Sequence, residues 1–365
     1  MGKNQQDGAR TLCLAVEPAH AQSVLSRLRE RGWVDERWQV GRDGHAVLVP
    51  IREECREQAE NARLGELMEA WLPAAKARPG SLREMLQGVL SDEEYEHLLS
   101  SFDVMGDIAM LEIPAELAGK QEEIAQAVMR LYPHVKTVVK KEEGTGGPYR
   151  IRPVSVMAGE KRTRTVSKEN GCSFVVDLNK AYYNPRMATE RLRVAEQIGR
   201  ENAGEHVLVL FAGVGPYAVL AEKAPKAGHK PAKIAAIELN PDAVEMMKEN
   251  VKLNKCKKIE VVEGDVEKVL GEPRFRAFAD RIIMPHPTES MRFLPAALRA
   301  ARKGAVIHLY AFGPAEEPLP LLLEEAQEIA EKAGAKLALL SWRVLQSYSP
   351  TLVQIVMDLQ VGQTE

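Results

Sequence analysis

Hydrophobic residues change their spacing several times along this chain. In residues 11–51 a short apolar run, Leu12-Cys13-Leu14-Ala15-Val16, precedes a helical spacing that puts Val24, Leu25 and Leu28 on one face. Gly32 can end that helix, and Ala46-Val47-Leu48-Val49-Pro50-Ile51 repeats the apolar run. Short apolar runs bounded by polar residues predict strands, so this part is expected to be a small α/β module. A charged stretch from Glu53 to about Leu72 predicts a helical connector, and Pro73 with Arg78-Pro79-Gly80 marks a break. Residues of roughly 80–170 mix helices with strands such as Ile108-Ala109-Met110-Leu111-Glu112-Ile113, and carry the turn Gly144-Thr145-Gly146-Gly147-Pro148.

From Cys172 onward strands and helices alternate. Val207-Leu208-Val209-Leu210, Ile234-Ala235-Ala236-Ile237, Ile259-Glu260-Val261-Val262, Arg281-Ile282-Ile283-Met284 and Ala305-Val306-Ile307-His308-Leu309 read as strands. Ala218 onward and Pro241 to Leu253 read as helices between them. Apolar strands without polar alternation predict a mostly parallel sheet covered on both faces. Two final strands, residues 336–344 and 353–359, are close enough to form an antiparallel hairpin at the sheet edge. The expected division is 1–65, a small α/β module; 66–170, an α+β domain; and 171–365, a Rossmann-like domain.

Composition narrows the class. With 365 residues the chain needs more than one core, and its 45% hydrophobic and 28% charged content is that of a globular protein. A net charge of −3 excludes a uniformly basic nucleic-acid binder. It does not exclude a local basic face: residues 130–169 hold ten Lys/Arg against four Glu, a net of +6. The four cysteines form no CxxC pair, so a zinc site is not expected and a reducing compartment is. No apolar run is long enough to span a bilayer, and a cytoplasmic location is expected.

The chemistry starts at Phe211-Ala212-Gly213-Val214-Gly215, between a predicted strand and helix. Such a loop aims backbone amides and a helix N-terminus over the strand ends. A dinucleotide would favour a third glycine, where this chain has Ala218. Glu238 follows Gly215 by 23 residues, is succeeded by Leu239, and can bind both hydroxyls of a ribose. Asp265, next to Val266, is placed to contact an adenine amino group. A ribose acid and an adenine acid without a pyrophosphate loop point to S-adenosylmethionine (SAM) rather than NAD.

Upstream lies Tyr182-Tyr183-Asn184-Pro185-Arg186-Met187-Ala188-Thr189-Glu190-Arg191. Together with Phe211 to Tyr217, this segment resembles the signature of the archaeal and eukaryotic tRNA (guanine-37, N1) methyltransferases, class I SAM-dependent enzymes. The likeness extends through Phe102 to Ala109, Ala158-Gly159-Glu160, Gly171-Cys172 and Ser347-Tyr348-Ser349-Pro350, and so over nearly the whole chain. It implies Glu190 as the general base for the N1 proton. It implies an arginine at O6, with Arg150 and Arg152 as the alternatives. Arg191 and Pro285 fall near the cofactor, while Tyr182, Arg186 and Pro287 line the nucleotide.

The same likeness implies a tRNA partner, gripped at its anticodon loop and, by the N-terminal module, at a distant part of its body, with the enzyme acting as a monomer. Two departures stand out. Val209 replaces an acid common in such enzymes, and Pro285-His286-Pro287 replaces Asn-x-Pro, so a side-chain amide contact is missing. His286 is expected to be a bystander. The alternatives are a wyosine-pathway aminocarboxypropyltransferase, a wyosine-intermediate methyltransferase, or a non-catalytic tRNA-binding protein.

Overall fold

The computed structural model describes residues 8–363 except 19, 45, 76–80, 99–101, 143–148, 150, 201–202 and 226–228. The chain divides into two compact units, residues 1–87 and 88–365. The expected break at Arg78-Pro79-Gly80 and the expected turn 144–148 lie outside the described residues.

In the first unit β1 (Gly8–Val16), α1 (Ala21–Glu30), β2 (Gly41–Asp43), β3 (Ala46–Pro50), α2 (Arg56–Asn61), β4 (Glu66–Pro73) and α3 (Leu82–Met85) follow in turn. The sheet order is β2-β3-β1-β4. Leu12, Leu14 and Val16 of β1 pack against Val24 and Leu28 of α1, as period-two and helical spacings meeting on one face require. The expected helical connector up to Leu72 is corrected here. Only a 3-10 turn, Glu53–Cys55, and Arg56–Asn61 are helical, and Glu66–Pro73 pairs antiparallel with β1 along eight residues. Glutamates at 66 and 69 give the segment a helical look, but Glu69 and Trp71 are exposed while Met68, Ala70 and Leu72 pack with Cys13 and Leu48, a strand's division of faces.

The second unit begins with α4 (Asp92–His97), started by a capping box of Ser91 and Glu94. Then come β5 (Asp103–Met105), β6 (Ile108–Leu111), α5 (Gln121–Leu131), β7 (Thr137–Lys141) and β8 (Val154–Gly159), forming a sheet of order β5-β6-β7-β8. β9 (Arg164–Glu169) and β10 (Cys172–Asp177) form a hairpin across Asn170-Gly171, whose φ values of 48° and 77° suit the tight turn two antiparallel strands need. Met105, Ile108 and Val139 share a core with Phe174, Val214 and Leu220. One core therefore crosses residue 170, where a domain boundary was expected.

The remainder runs α6 (Ala188–Gln197), β11 (His206–Leu210), α7 (Pro216–Lys223), β12 (Lys233–Glu238), α8 (Pro241–Leu253), β13 (Ile259–Glu263), α9 (Val266–Leu270), β14 (Ala279–Met284), α10 (Ser290–Ala300), β15 (Ala301–Pro314), α11 (Pro318–Lys332), β16 (Ala335–Ser349) and β17 (Leu352–Gln363). Its seven-stranded sheet has the order β13-β12-β11-β14-β15-β17-β16. The first five strands are parallel, and β17 lies antiparallel to both neighbours. The order reverses between β11 and β14. In open α/β sheets that reversal opens a crevice beyond the strand C-termini, where ligands bind. The loops leaving β11 and β14 are 211–215 and 285–289. Among the described residues, no helix is long and apolar enough to cross a membrane.

Candidate active site

Three residues of the β11–α7 loop have positive φ: Phe211 at 53°, Gly213 at 56° and Gly215 at 86°. The two glycines serve different ends. A Cβ on Gly215 would come within 2.7 Å of Met247 Cγ, so this glycine lets α7 pack on α8. A Cβ on Gly213 would meet nothing closer than the Tyr182 carbonyl oxygen at 3.7 Å. Gly213 thus lies beside the Tyr182–Arg191 segment.

Glu238 at the end of β12 holds this loop. Its Oε2 accepts from Gly213 N at 2.7 Å and its Oε1 from Asn240 N at 2.8 Å. Burial raises its carboxyl pKa, although these amides act in the opposite direction. Leu239 is exposed, whereas Ala212, Val214 and Val266 are buried behind the loops. Asp265 caps α9, its Oδ1 accepting from Glu267 N at 3.0 Å and Lys268 N at 3.1 Å, so both bonds fall on one oxygen. After β14 the Pro285-His286-Pro287 loop stands against Phe211, whose ring centroid is 4.8 Å from that of His286. Pro287 O accepts from Phe312 N at 3.3 Å. Val209 is fully buried in β11, beside Ala236 and Ile283.

The Tyr182–Arg191 segment turns through Pro185–Met187, where the Asn184 side chain accepts from Arg186 N at 3.0 Å, and enters α6. Glu190 in the first turn is only 6% exposed. Arg193, one turn on, grips both its oxygens at 2.7 Å, and Tyr310 donates its hydroxyl to Oε1 at 2.8 Å. Tyr217 in turn donates to the Tyr310 hydroxyl at 2.8 Å.

From Arg193 a buried network continues. Arg193 reaches Asp358 at 2.6 Å, and Asp358 pairs with His308 Nδ1 at 2.6 Å. Arg281 Nη1 lies 2.9 Å from His308 Nε2 and binds Glu205 through Nε at 2.7 Å. A guanidinium only donates, so His308 Nε2 accepts and Nδ1 carries the proton given to Asp358. Burial lowers the His308 pKa, consistent with a neutral ring. The Asp358 carboxyl lies well below its ordinary range, because the His308 and Arg193 bonds outweigh the opposing effect of burial.

Arg191, expected near the cofactor, is placed inside the protein. Its guanidinium binds Glu169 at 2.7 and 2.6 Å and the Asn184 carbonyl at 2.9 Å, and Tyr183 donates to Glu169 at 2.6 Å. In this arrangement Arg191 fixes the backbone of the segment. Arg186 is largely exposed and binds Asp103 at 2.8 Å; Asp103 also meets Lys141 at 3.1 Å. Arg152 pairs with Glu112 at 3.1 Å, while Arg150 lies outside the described residues. A cleft of about 1000 Å³ lined by Arg162, Arg164, Lys168, Asp107 and Glu249 extends to Pro185, with Arg162 paired to Asp107 and Arg164 to Glu249. Arg193 is three residues after Glu190, a spacing that signals a pair; nothing local in the sequence marks Tyr310, His308 or Asp358 as their partners.

A doubly wound sheet with a reversed seventh strand, a glycine loop at the switch point and an acid closing the second strand define the class I methyltransferase fold. Within it, the chain belongs to the TRM5/TYW2 methyltransferase family, whose domain matches residues 165–338, while the TYW2 N-terminal domain matches residues 82–163. The chain is 35% identical over 352 residues to the tRNA (guanine(37)-N(1))-methyltransferase Trm5b of Pyrococcus abyssi, covering 96% of this chain and 99% of the relative. The crystal structure of Trm5b from that organism matches with a TM-score of 0.70 and the same coverage, at 35% identity. A complex of aTrm5 with tRNALeu matches with a TM-score of 0.66 at 28% identity, over 96% of this chain and 99% of that one.

Proposed function

We propose that this chain transfers a methyl group from SAM to N1 of guanine 37 in the tRNA anticodon loop, with Glu190 as the general base. The observation that carries this reading is the Tyr182–Arg191 segment seated on the cofactor loop, Tyr182 O beside Gly213. Two features fit the cofactor: a loop opened by positive φ values, and a Glu238 carboxylate oriented by two backbone amides. SAM, when bound, supplies an electrophilic methyl group.

Guanine N1 carries a proton at neutral pH, so its lone pair becomes available only when a base takes that proton. Glu190 accepts three bonds here, two on Oε1 and one on Oε2. A carboxylate has about four acceptor positions, which leaves one on Oε2 for the N1 proton. Arg193 on both oxygens and Tyr310 on Oε1 orient the carboxylate. The negative charge that develops toward O6 calls for a cation, assigned to Arg150 or Arg152; Arg152 would exchange Glu112 for O6. The target base must leave its stack to reach the site. In that cleft Lys168 offers a contact for phosphate, and Arg162 and Arg164 would exchange Asp107 and Glu249 for phosphates, so binding should weaken with salt. The enzyme is read as a cytoplasmic monomer, its N-terminal unit contacting the tRNA body.

The test is incubation with methyl-labelled SAM and transcripts bearing G or A at position 37, followed by nucleoside analysis. Label should appear as methylguanine with G37 alone, and Glu190→Gln should lower the transfer rate by roughly 10²–10⁴, the usual worth of a positioned base. Unchanged transfer by that variant would remove Glu190 from the role. The match of residues 82–163 to the TYW2 N-terminal domain favours one second reading, transfer of the aminocarboxypropyl group. SAM labelled in that group rather than the methyl separates the two. A non-catalytic tRNA-binding protein would show no SAM binding by calorimetry.

A further inference from the structure

Two tyrosines stand out beside the candidate site. Tyr182 is 63% exposed and Tyr348 is 68% exposed, so both rings are open to a ligand. They come from distant parts of the chain, the motif segment and the end of β16. Tyr348 rests on Phe312, ring centroids 5.0 Å apart and tilted by 55°. Phe312 in turn donates its backbone N–H to Pro287 O, in the loop that packs against Phe211. Tyr182 stands over Gly213 through its carbonyl. Tyr348 is among the ionisable groups that act on the Tyr182 phenol, so the two rings are neighbours. The Tyr348 ring thus has one face backed by Phe312, whose backbone is bonded to the 285–289 loop beside Phe211.

We propose that Tyr348, backed by Phe312 and neighbouring Tyr182, is a stacking platform for the nucleobase turned out of the RNA loop. An extruded base loses its stacking partners in the RNA, and an aromatic side chain replaces them without regard to hydrogen-bond pattern. Phe312 beneath keeps the ring from folding away. The proposal rests on the reading that this site takes an RNA base. It adds the surface on which that base lies, whereas Glu190 and the arginines act on its edge.

The experiment compares Tyr348→Ala, Tyr348→Phe and Tyr348→Trp in the full chain. Methyl transfer to a G37 transcript is measured together with SAM affinity by calorimetry. Tyr348→Ala is expected to lose roughly ten- to hundredfold in kcat/KM for tRNA, the range spanned by base–ring stacking. Tyr348→Phe and Tyr348→Trp, which keep a ring, should stay within about threefold of wild type, and SAM affinity should not change. A second arm uses a transcript with 2-aminopurine at position 37, which offers neither the N1 proton nor O6 and so reads binding without chemistry. In the wild-type complex the tyrosine quenches the extruded base, and in Tyr348→Ala its fluorescence should rise above that level. Three results overturn the platform: wild-type kcat/KM and fluorescence in Tyr348→Ala, equal damage in Tyr348→Phe, or a parallel loss of SAM affinity. Absence of methyl transfer by the wild type would instead overturn the function proposed above, and the fluorescence arm would still decide the platform.

Discussion

The parallel half of the seven-stranded sheet and its antiparallel edge contribute to the site by different means. On the parallel side, β11 and β12 end in loops whose backbone does most of the work: positive φ values at Gly213 and Gly215, and amides that bind Glu238. On the other side, the antiparallel β17 and its parallel neighbour β15 contribute buried side chains. Tyr310, His308 and Asp358 reach across to Arg193 and Glu190 of α6. A site made of backbone depends on conformation, while one made of buried charges depends on every charge having its partner. The two halves should therefore fail differently when altered.

The largest effect is expected at Asp358, which joins Arg193 to His308 from within the sheet. Asp358→Asn leaves the Arg193 charge half-matched and sets an NH2 group where Arg193 and Ser341 donate, even if its remaining oxygen still accepts from His308. Taking one partner from a buried ion pair costs about 3–5 kcal/mol, and urea unfolding should show a midpoint shift of that size. A loss below about 1 kcal/mol would mean that the charges of the edge half are not mutually dependent. On the parallel side the matching pair is Gly215→Ala and Gly213→Ala. Both force an alanine into positive φ, at about 1–3 kcal/mol each, but only the first also drives a Cβ to 2.7 Å from Met247. Gly215→Ala should be the less stable in thermal melts, whereas Gly213→Ala should act mainly on SAM affinity. Equal losses in both would sink the distinction between a packing glycine and a ligand-facing one.

The same contrast decides how much was legible in the sequence. The parallel half announces itself locally: each strand is an apolar run, Pro241 opens α8, and Glu238 follows the glycines at a telling distance. Glu190 and Arg193 are also a local pair. Tyr310 lies 120 residues from Glu190 and Asp358 lies 165 from Arg193, so only the folded sheet brings them together. Arg191 shows the reverse problem. Its motif suggested the cofactor, but Glu169, 22 residues earlier across a hairpin, takes its donors. In the first unit, Glu66–Pro73 was misread because two glutamates imitate a charged helix, and only pairing with β1 makes the segment a strand.

The smallest expected effects, and the most discriminating, come from pH, because the two halves carry opposite signs. His308 has a lowered pKa, so the unfolded chain takes up a proton near pH 6.5 that the folded protein refuses. Its contribution to stability is present above that pH and is lost as pH falls, by about 1.4 kcal/mol for each pH unit over which only the unfolded state is protonated. Asp358, also lowered, adds a further loss below about pH 4. Glu238 runs the other way. Its raised pKa means the folded protein binds a proton more readily than the unfolded chain, so acidification through that value favours the fold, and the gain is lost again as pH rises. Urea unfolding of the cofactor-free protein from pH 5 to 8 should show stability falling toward acid. Glu238→Gln removes the only opposing contribution among these three and should make that fall steeper, whereas His308→Asn should flatten it between about pH 5 and 7. If Glu238→Gln flattened the curve instead, the Glu238 carboxylate would be stabilised in its charged form, and the parallel half would depend on charge pairing as its neighbour does.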